Sequence, residues 1–152
     1  MKKVTLGETH IQGLSIRTNN ATEMQPELGK IGGLYHTFGL QVVVDYDAGA
    51  NLYGVYYQYD SDHNGDFSVL VGSTPDKLTT TARLESVTLQ AGEYLVFSGK
   101  GSMPQAVIDL WGAIWAYFSD NETEYKRTYT TDFERYIGVD AVEIYIAIQP
   151  EA

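Results

Sequence analysis

The second half of this chain repeats the pattern of the first, at an offset of about 80 residues. The strand-like run Ile11-Gln12-Gly13-Leu14-Ser15-Ile16-Arg17 has its counterpart in Ala91-Gly92-Glu93-Tyr94-Leu95-Val96-Phe97. Ile31, Gly32, Leu34, Tyr35 and Phe38 correspond to Trp111, Gly112, Ile114, Trp115 and Phe118, and Tyr53 and Tyr56 to Phe133 and Tyr136. Each half reads strand, helix, strand, strand. Two copies of one supersecondary unit predict an α+β fold in which pseudo-two-fold-related halves bury a shared core. The groove at the axis between them is a natural concavity for a small molecule.

The chain has 152 residues, 43% of them hydrophobic, which suits one compact domain over residues 1–152, with the repeat at about 5–75 and 84–150. There is no cysteine, so neither a disulfide framework nor a thiolate metal site is open to it. A net charge of −10 repels phosphate backbones and argues against direct binding of DNA or RNA. Met1-Lys2-Lys3-Val4-Thr5 leads straight into strand-like sequence, and no apolar run reaches membrane-spanning length. The expectation is a cytoplasmic protein with no membrane association.

The first strand is predicted at 9–18, followed by the polar Asn19-Asn20-Ala21-Thr22. A helix beginning near Gln25-Pro26 carries Leu28, Ile31, Leu34, Tyr35 and Phe38 at helical spacing. Gly32 and Gly33 inside it each cost about 1 kcal/mol relative to alanine, which points to a close approach by another element or a ligand. Strands follow at 52–59, 67–72 and 84–89. The second helix has an apparent capping box, Ser102 with Gln105, and Pro104 in its first turn. Val107, Leu110, Trp111, Ile114, Trp115 and Phe118 form one apolar face, with Asn121 at the end. The last strands are predicted at 125–136 and 142–148.

Two apparent motifs are weaker than they look. Asp60-x-Asp62-x-Asn64-Gly65 opens like a calcium loop, but its twelfth position is Val71 and its flanks read as strands, so a hairpin turn is the better reading. Ser98-Gly99-Lys100-Gly101-Ser102 hints at a phosphate loop but lacks its first glycine and its Lys-Ser/Thr pair. His10, His36 and His63 are scattered, with no ligand spacing and no neighbouring nucleophile signature. No metal and no cofactor are expected.

What remains is aromatic residues combined with placed carboxylates. Of 12 tyrosines, Tyr53, Tyr56, Tyr57 and Tyr59 crowd one strand. In the last strand Val142, Ile144, Ile146 and Ile148 point one way, and Glu143, Tyr145 and Ala147 the other. In the strand before it Asp132, Glu134 and Tyr136 share a face. A carboxylate among aromatic rings suits an organic cation, because π faces stabilise delocalised positive charge and the carboxylate neutralises it. Aromatic stripes are also ordinary core, and parity does not say which sheet face lines the groove.

Several stretches resemble a known family. They include Gly13-Leu14-Ser15-Ile16-Arg17-Thr18, Pro26-Glu27-Leu28-Gly29-Lys30-Ile31-Gly32-Gly33-Leu34 and Tyr53-Gly54-Val55-Tyr56-Tyr57-Gln58-Tyr59-Asp60-Ser61-Asp62-His63. Ala91 to Phe97, Met103-Pro104-Gln105-Ala106-Val107-Ile108-Asp109-Leu110-Trp111 and Thr131-Asp132-Phe133-Glu134 belong with them. Together they resemble the stand-alone effector-binding domains of the gyrase-inhibitor-like superfamily, especially its integron-cassette-associated branch. The resemblance implies two strand-helix-strand-strand units forming an antiparallel sheet, two main helices and a central groove. It also implies binding of hydrophobic cations around an acidic residue, carried over to Glu143 in the final strand and to Asp132 and Glu134 in the one before. Ile146-Ala147-Ile148 departs from the family's usual Ile-Pro-Ile.

The expected ligand is therefore a cationic amphipathic or drug-like small molecule. Glu143 is the expected charge partner and Glu134 the second, with Trp111, Trp115, Tyr35, Tyr57 and Tyr145 lining the site. No fused DNA-binding helices are expected, so a regulatory role is expected to need a separate DNA-binding regulator, and the chain is expected as a monomer or weak homodimer. The alternatives are a hydrolase using paired carboxylates in the same groove, since some superfamily members are hydrolases, and an accessory domain that binds a peptide or helix there.

Overall fold

Among the described residues, ten strands and three α-helices are arranged so that a single eight-stranded antiparallel sheet runs through both halves of the chain. The computed structural model describes residues 1–120 and 122–150. The first half comprises β1 (Lys2–Leu6), β2 (Thr9–Thr18), the one-turn α1 (Asn20–Glu23), α2 (Ile31–Gln41), β3 (Val43–Val44), β4 (Leu52–Tyr57), β5 (Phe67–Ser73) and β6 (Leu78–Thr79). The second comprises β7 (Glu85–Leu89), β8 (Gly92–Lys100), α3 (Gln105–Ser119), β9 (Thr131–Ile137) and β10 (Ala141–Ala147). The strand order β1-β8-β10-β9-β4-β5-β2-β7 is symmetric about the β9–β4 pair. Each half's leading strand crosses to the other half, β1 onto β8 and β7 onto β2, so the units are stitched together at both edges. β3 and β6 form a separate small ladder.

The sheet curls, and its two faces hold different cores. On one face α3 packs over β8 and β10 through Val107 and Ile114 against Leu95, Ile144 and Ile146. On the same face α2 packs over β2 and β5 through Leu34 and Phe38 against Phe67, Val69 and Val71. Each fully buried aliphatic side chain contributes roughly 1.5–3 kcal/mol, so these faces hold the helices down. The other face closes on a second core that includes Val55, Leu70, Tyr94, Phe133 and Tyr145. At the β2–β5 pairing Gly13 faces Gly72, and a Cβ on either would collide with the partner strand's backbone carbonyl. Only glycine permits that close approach. The helices rest on the flanking strands, leaving the central strands β4 and β9 to form the floor of a groove between α2 and α3.

The elements depart from the sequence expectation at five places. α2 starts at Ile31, because residues 25–29 close on Gln25 in turns. The Glu23 carboxylate then accepts the Lys30 and Ile31 amides at 2.9 and 3.0 Å, so the cap comes from α1. The stretch at 19–22 is not merely polar loop. It forms α1, whose first turn is capped by Asn19 accepting the Thr22 amide at 2.8 Å. The Ser102–Gln105 capping box does not form: the Ser102 carbonyl takes the Ala106 amide, and Gln105 Nε2 donates to Asp109 at 2.7 Å. The strand expected from 125 starts only at Thr131, since Tyr129 has φ +56° and Arg127 turns in to Asp132. β4 likewise ends at Tyr57, where Gln58 has φ +52°. α3 ends at Ser119, and Asn121, its expected marker, lies outside the described residues.

Candidate functional site

Glu134, on the helix-covered face of β9, is 3% exposed, and its carboxylate is ringed by aromatic donors. Oε1 accepts from the Tyr35 hydroxyl at 2.7 Å and the Tyr136 hydroxyl at 3.0 Å. Oε2 accepts from the Tyr56 hydroxyl at 2.9 Å and the Trp111 indole Nε1 at 2.6 Å. These donors come from α2, β9 itself, β4 and α3, so both halves of the repeat build the site. A carboxylate offers about four lone-pair positions, and here each has a donor. All four donors are neutral. Among the described residues no lysine, arginine or histidine pairs with Glu134.

Gly54 lies opposite Glu134 in the β4–β9 register and makes this arrangement fit. A Cβ there would fall 2.8 Å from Glu134 Oε1 and closer still to the Tyr35 hydroxyl. Burial, reinforced by the Glu134 charge, pushes the phenols of Tyr35, Tyr56 and Tyr136 well above their ordinary ionisation range. They remain protonated donors at any physiological pH. Their rings also brace one another: Tyr35 meets Tyr136 edge-on at 5.9 Å, and Tyr56 meets Trp111 edge-on at 5.1 Å.

This cluster is one wall of a cavity of about 1060 Å³ between α2 and α3. Ile31, Leu52, Met103, Val107 and Ile108 make the rest of its lining predominantly apolar. Gly32 also faces it, and neither Gly32 nor Gly33 has another element within contact. A close approach by another element therefore does not account for these helix glycines.

Asp132, two residues earlier on the same face, shows how the chain treats a buried acid that is structural. It is 0% exposed and carries its own cation, with Arg127 Nη2 at 2.7 Å. Tyr59 donates to it at 2.5 Å and the Ala147 amide at 2.8 Å. The Arg127 guanidinium lies 4.3 Å from the centre of the Tyr129 ring. Of these two buried carboxylates, then, only Glu134 lacks a countercharge.

The expected lining residues divide between the two faces. Glu134, Trp111 and Tyr35 converge on the cavity, and Trp115 lines a smaller chamber beside it. Glu143, Tyr145 and Tyr57 do not join them. Glu143 pairs with Arg135 across the β9–β10 ladder, so both point to the face opposite Glu134. There Glu143 accepts from the Tyr145 hydroxyl at 3.0 Å and lies 3.5 Å from Arg135. Tyr57 packs against the core of that same face. The groove expected to combine Glu143 with Trp111 is thus two separate places, with the sheet between them. The residues that sequence reasoning passed over are Tyr56, Tyr136 and Gly54. The i, i+2 parity of Glu134 with Tyr136 and the glycine inside a strand were their signals.

The other motifs resolve structurally. The 60–66 loop is a turn in which Asp62 accepts the Asn64 amide at 2.8 Å and Asp60 pairs with Arg17 at 2.6 Å. Among the described residues no group of three or more potential ligands is poised for a metal. The phosphate-loop look-alike is the end of β8 and the turn towards α3, with Gly101 at φ +140°. No described helix is long and apolar enough to cross a membrane.

This architecture has known counterparts. An integron cassette protein of Vibrio cholerae shares 37% identity over 97% of this chain and 95% of its own, with a TM-score of 0.86. The structure of SAV2435 bound to tetraphenylphosphonium matches at 16% identity and a TM-score of 0.67, over 97% and 93% of the two chains. The C-terminal domain of EcmrR matches at 12% identity and 0.52, over 99% and 97%. These last two establish the shared fold. No curated protein matches the chain. The sequence model of the integron-associated effector binding proteins covers residues 4–148, and the chain belongs to that family.

Proposed function

We propose that this protein binds lipophilic organic cations in the cavity over Glu134, and binds them without chemical turnover. One observation carries this reading: a buried carboxylate, held by four neutral donors and no cation, forms the wall of a large apolar cavity. Burying an anion without a countercharge is costly, and an arriving cation recovers that cost. The aromatic rings add a cation–π contribution of about 2 kcal/mol when desolvated. The fold also holds such a ligand in SAV2435, which was solved with tetraphenylphosphonium.

Glu134 is the charge partner in this reading, and Glu143 is not. The cavity offers little to a hydrolytic mechanism, because the carboxylate's acceptor positions are filled and the phenols resist ionisation. Calorimetry with tetraphenylphosphonium and its neutral isostere tetraphenylmethane derivatised for solubility tests the binding reading. Equal affinities would overturn it. Incubation with activated esters and epoxides, followed by chromatography, tests the absence of turnover.

A further inference from the structure

Beside the main cavity, on the far side of Tyr56 and Trp111, lies a second chamber of about 390 Å³. Glu23, Ile31, Tyr56, Ile108 and Trp111 line both spaces, so the two lie side by side. We propose that this chamber is a separate subsite for the uncharged aromatic arm of a ligand whose cationic head sits over Glu134. The proposal rests on the cation reading above and extends it to two-part ligands.

The electrostatics distinguish the two spaces. Arg127, which reaches the second chamber, is already neutralised by Asp132 at 2.7 Å and covered by Tyr129. The Glu23 carboxylate is occupied by the Lys30 and Ile31 amides and by the Thr18 hydroxyl at 2.6 Å. His63 meets the Tyr129 hydroxyl at 3.2 Å. The donors to Glu23 are neutral, but Glu23 is only half-buried where Glu134 is 3% exposed, so water screens its charge. Among the described residues, no fully buried carboxylate without a countercharge at this chamber calls for a second cation. The surface is instead aromatic and aliphatic. Trp115 lies one helical turn beyond Trp111, their rings 6.3 Å apart. It is 41% exposed, and its neighbours Met24 and Ile108 are 72% and 57% exposed. Large apolar side chains left in water at the mouth of a cavity gain most when an apolar group covers them. Tyr59 and Phe67 form the inner wall, their rings 5.8 Å apart. A planar hydrocarbon ring fits that wall and has no polar group to leave unsatisfied.

The test compares methyltriphenylphosphonium with (2-naphthylmethyl)triphenylphosphonium, which share a head and differ by one aromatic arm. The chain has two tryptophans, so their indole N–H resonances report on the two spaces separately. Both cations should shift the Trp111 resonance, and only the naphthyl compound should strongly shift Trp115. The naphthyl compound should bind roughly tenfold more tightly, from the extra apolar area covered. Trp115→Ala should remove most of that ratio while leaving the affinity of the methyl compound unchanged. A ratio that survives Trp115→Ala, or a variant that weakens both compounds equally, would overturn the subsite. If neither cation binds, the Glu134 reading fails instead. The subsite then stands or falls on 2-naphthalenemethanol, which either perturbs the Trp115 resonance selectively or does not.

Discussion

The Trp111 indole Nε1 donates to Glu134 Oε2 at 2.6 Å, tying the centre of α3 to the central strand β9 across the groove. A helix facing its indole into a cavity and a strand presenting a buried carboxylate are each common. Their direct contact turns two ordinary features into a polarised wall. The donor is neutral, so the contact fixes the carboxylate's position while leaving its charge unbalanced.

Removing that charge should weaken cation binding. Glu134→Gln keeps the size and one carbonyl acceptor, and should reduce affinity for tetraphenylphosphonium by on the order of 1–3 kcal/mol, roughly five- to 150-fold. Glu143→Gln, on the opposite face with Arg135, should change it by less than about 0.5 kcal/mol. Calorimetric titration of both variants checks this, with thermal melts as a control for folding. A larger loss from Glu143→Gln would reverse the assignment.

Asp132 should behave in the opposite way. Asp132→Asn leaves Arg127 buried at 6% side-chain exposure without its counter-ion. Breaking a buried pair from one side costs about 3–5 kcal/mol. Urea denaturation should show that loss. Cation affinity of the folded fraction should change far less than in Glu134→Gln.

Parity made much of this arrangement readable from sequence, and parity also set its limit. The apolar spacing of α3 and the alternation in β9 and β10 follow from helical and strand periods, and the structure keeps both. The shared face of Asp132, Glu134 and Tyr136 was visible for the same reason. Which face of β10 matched it was not, since that depends on the hairpin register. The turn at 138–140 pairs Ala141 with Ile137, which aligns Ile144 with Glu134 and sends Glu143 to the other side. A strand one residue out of register would have reversed the result. Tyr57 was chosen over its neighbour Tyr56 for want of similar information: alternation puts the two on opposite faces, and only the β4–β9 pairing shows that Tyr56 shares the face of Asp132 and Glu134. The cap of α2 escaped notice because Glu23 reaches it from seven residues before Lys30.

Gly54 should be intolerant of even a methyl group. In Gly54→Ala the new Cβ meets the Tyr35 hydroxyl and Glu134 Oε1, so the phenol must leave its position. Overpacking of this kind costs about 1–3 kcal/mol. Tyr35→Phe removes the colliding oxygen, so the double variant should be less destabilised than the sum of the singles by at least about 0.5 kcal/mol. Strict additivity in a denaturation cycle would mean that the collision is relieved elsewhere.

The buried phenols predict a loss of stability in alkali. Tyr35, Tyr56 and Tyr136 hold their protons in the folded state beyond the usual phenol value of about 10. The unfolded chain releases them near that value, so it binds fewer protons than the native state above it. Their contribution is fully present below about pH 10 and declines as the pH rises further. A phenolate absorbance titration should show these tyrosines ionising only together with unfolding. Smooth ionisation of all tyrosines in the native protein would contradict the buried donor cluster.

The filled acceptor positions of Glu134 predict the kind of cation preferred. A protonated primary amine brings three N–H donors that need acceptors once dehydrated. Around Glu134 those acceptors are already engaged by Tyr35, Tyr56, Tyr136 and Trp111. An amine must therefore displace a buried donor or leave its own N–H groups unpaired, at about 1–3 kcal/mol for each unsatisfied group. A quaternary ammonium or phosphonium has no such requirement, and its diffuse charge interacts through space with the carboxylate and the aromatic faces. Benzyltrimethylammonium should accordingly bind more tightly than protonated benzylamine of the same charge, by at least about fivefold. Competition titrations at a pH where the amine is fully protonated measure the difference. A preference for benzylamine would show that the ring of donors opens to admit a hydrogen-bonding cation.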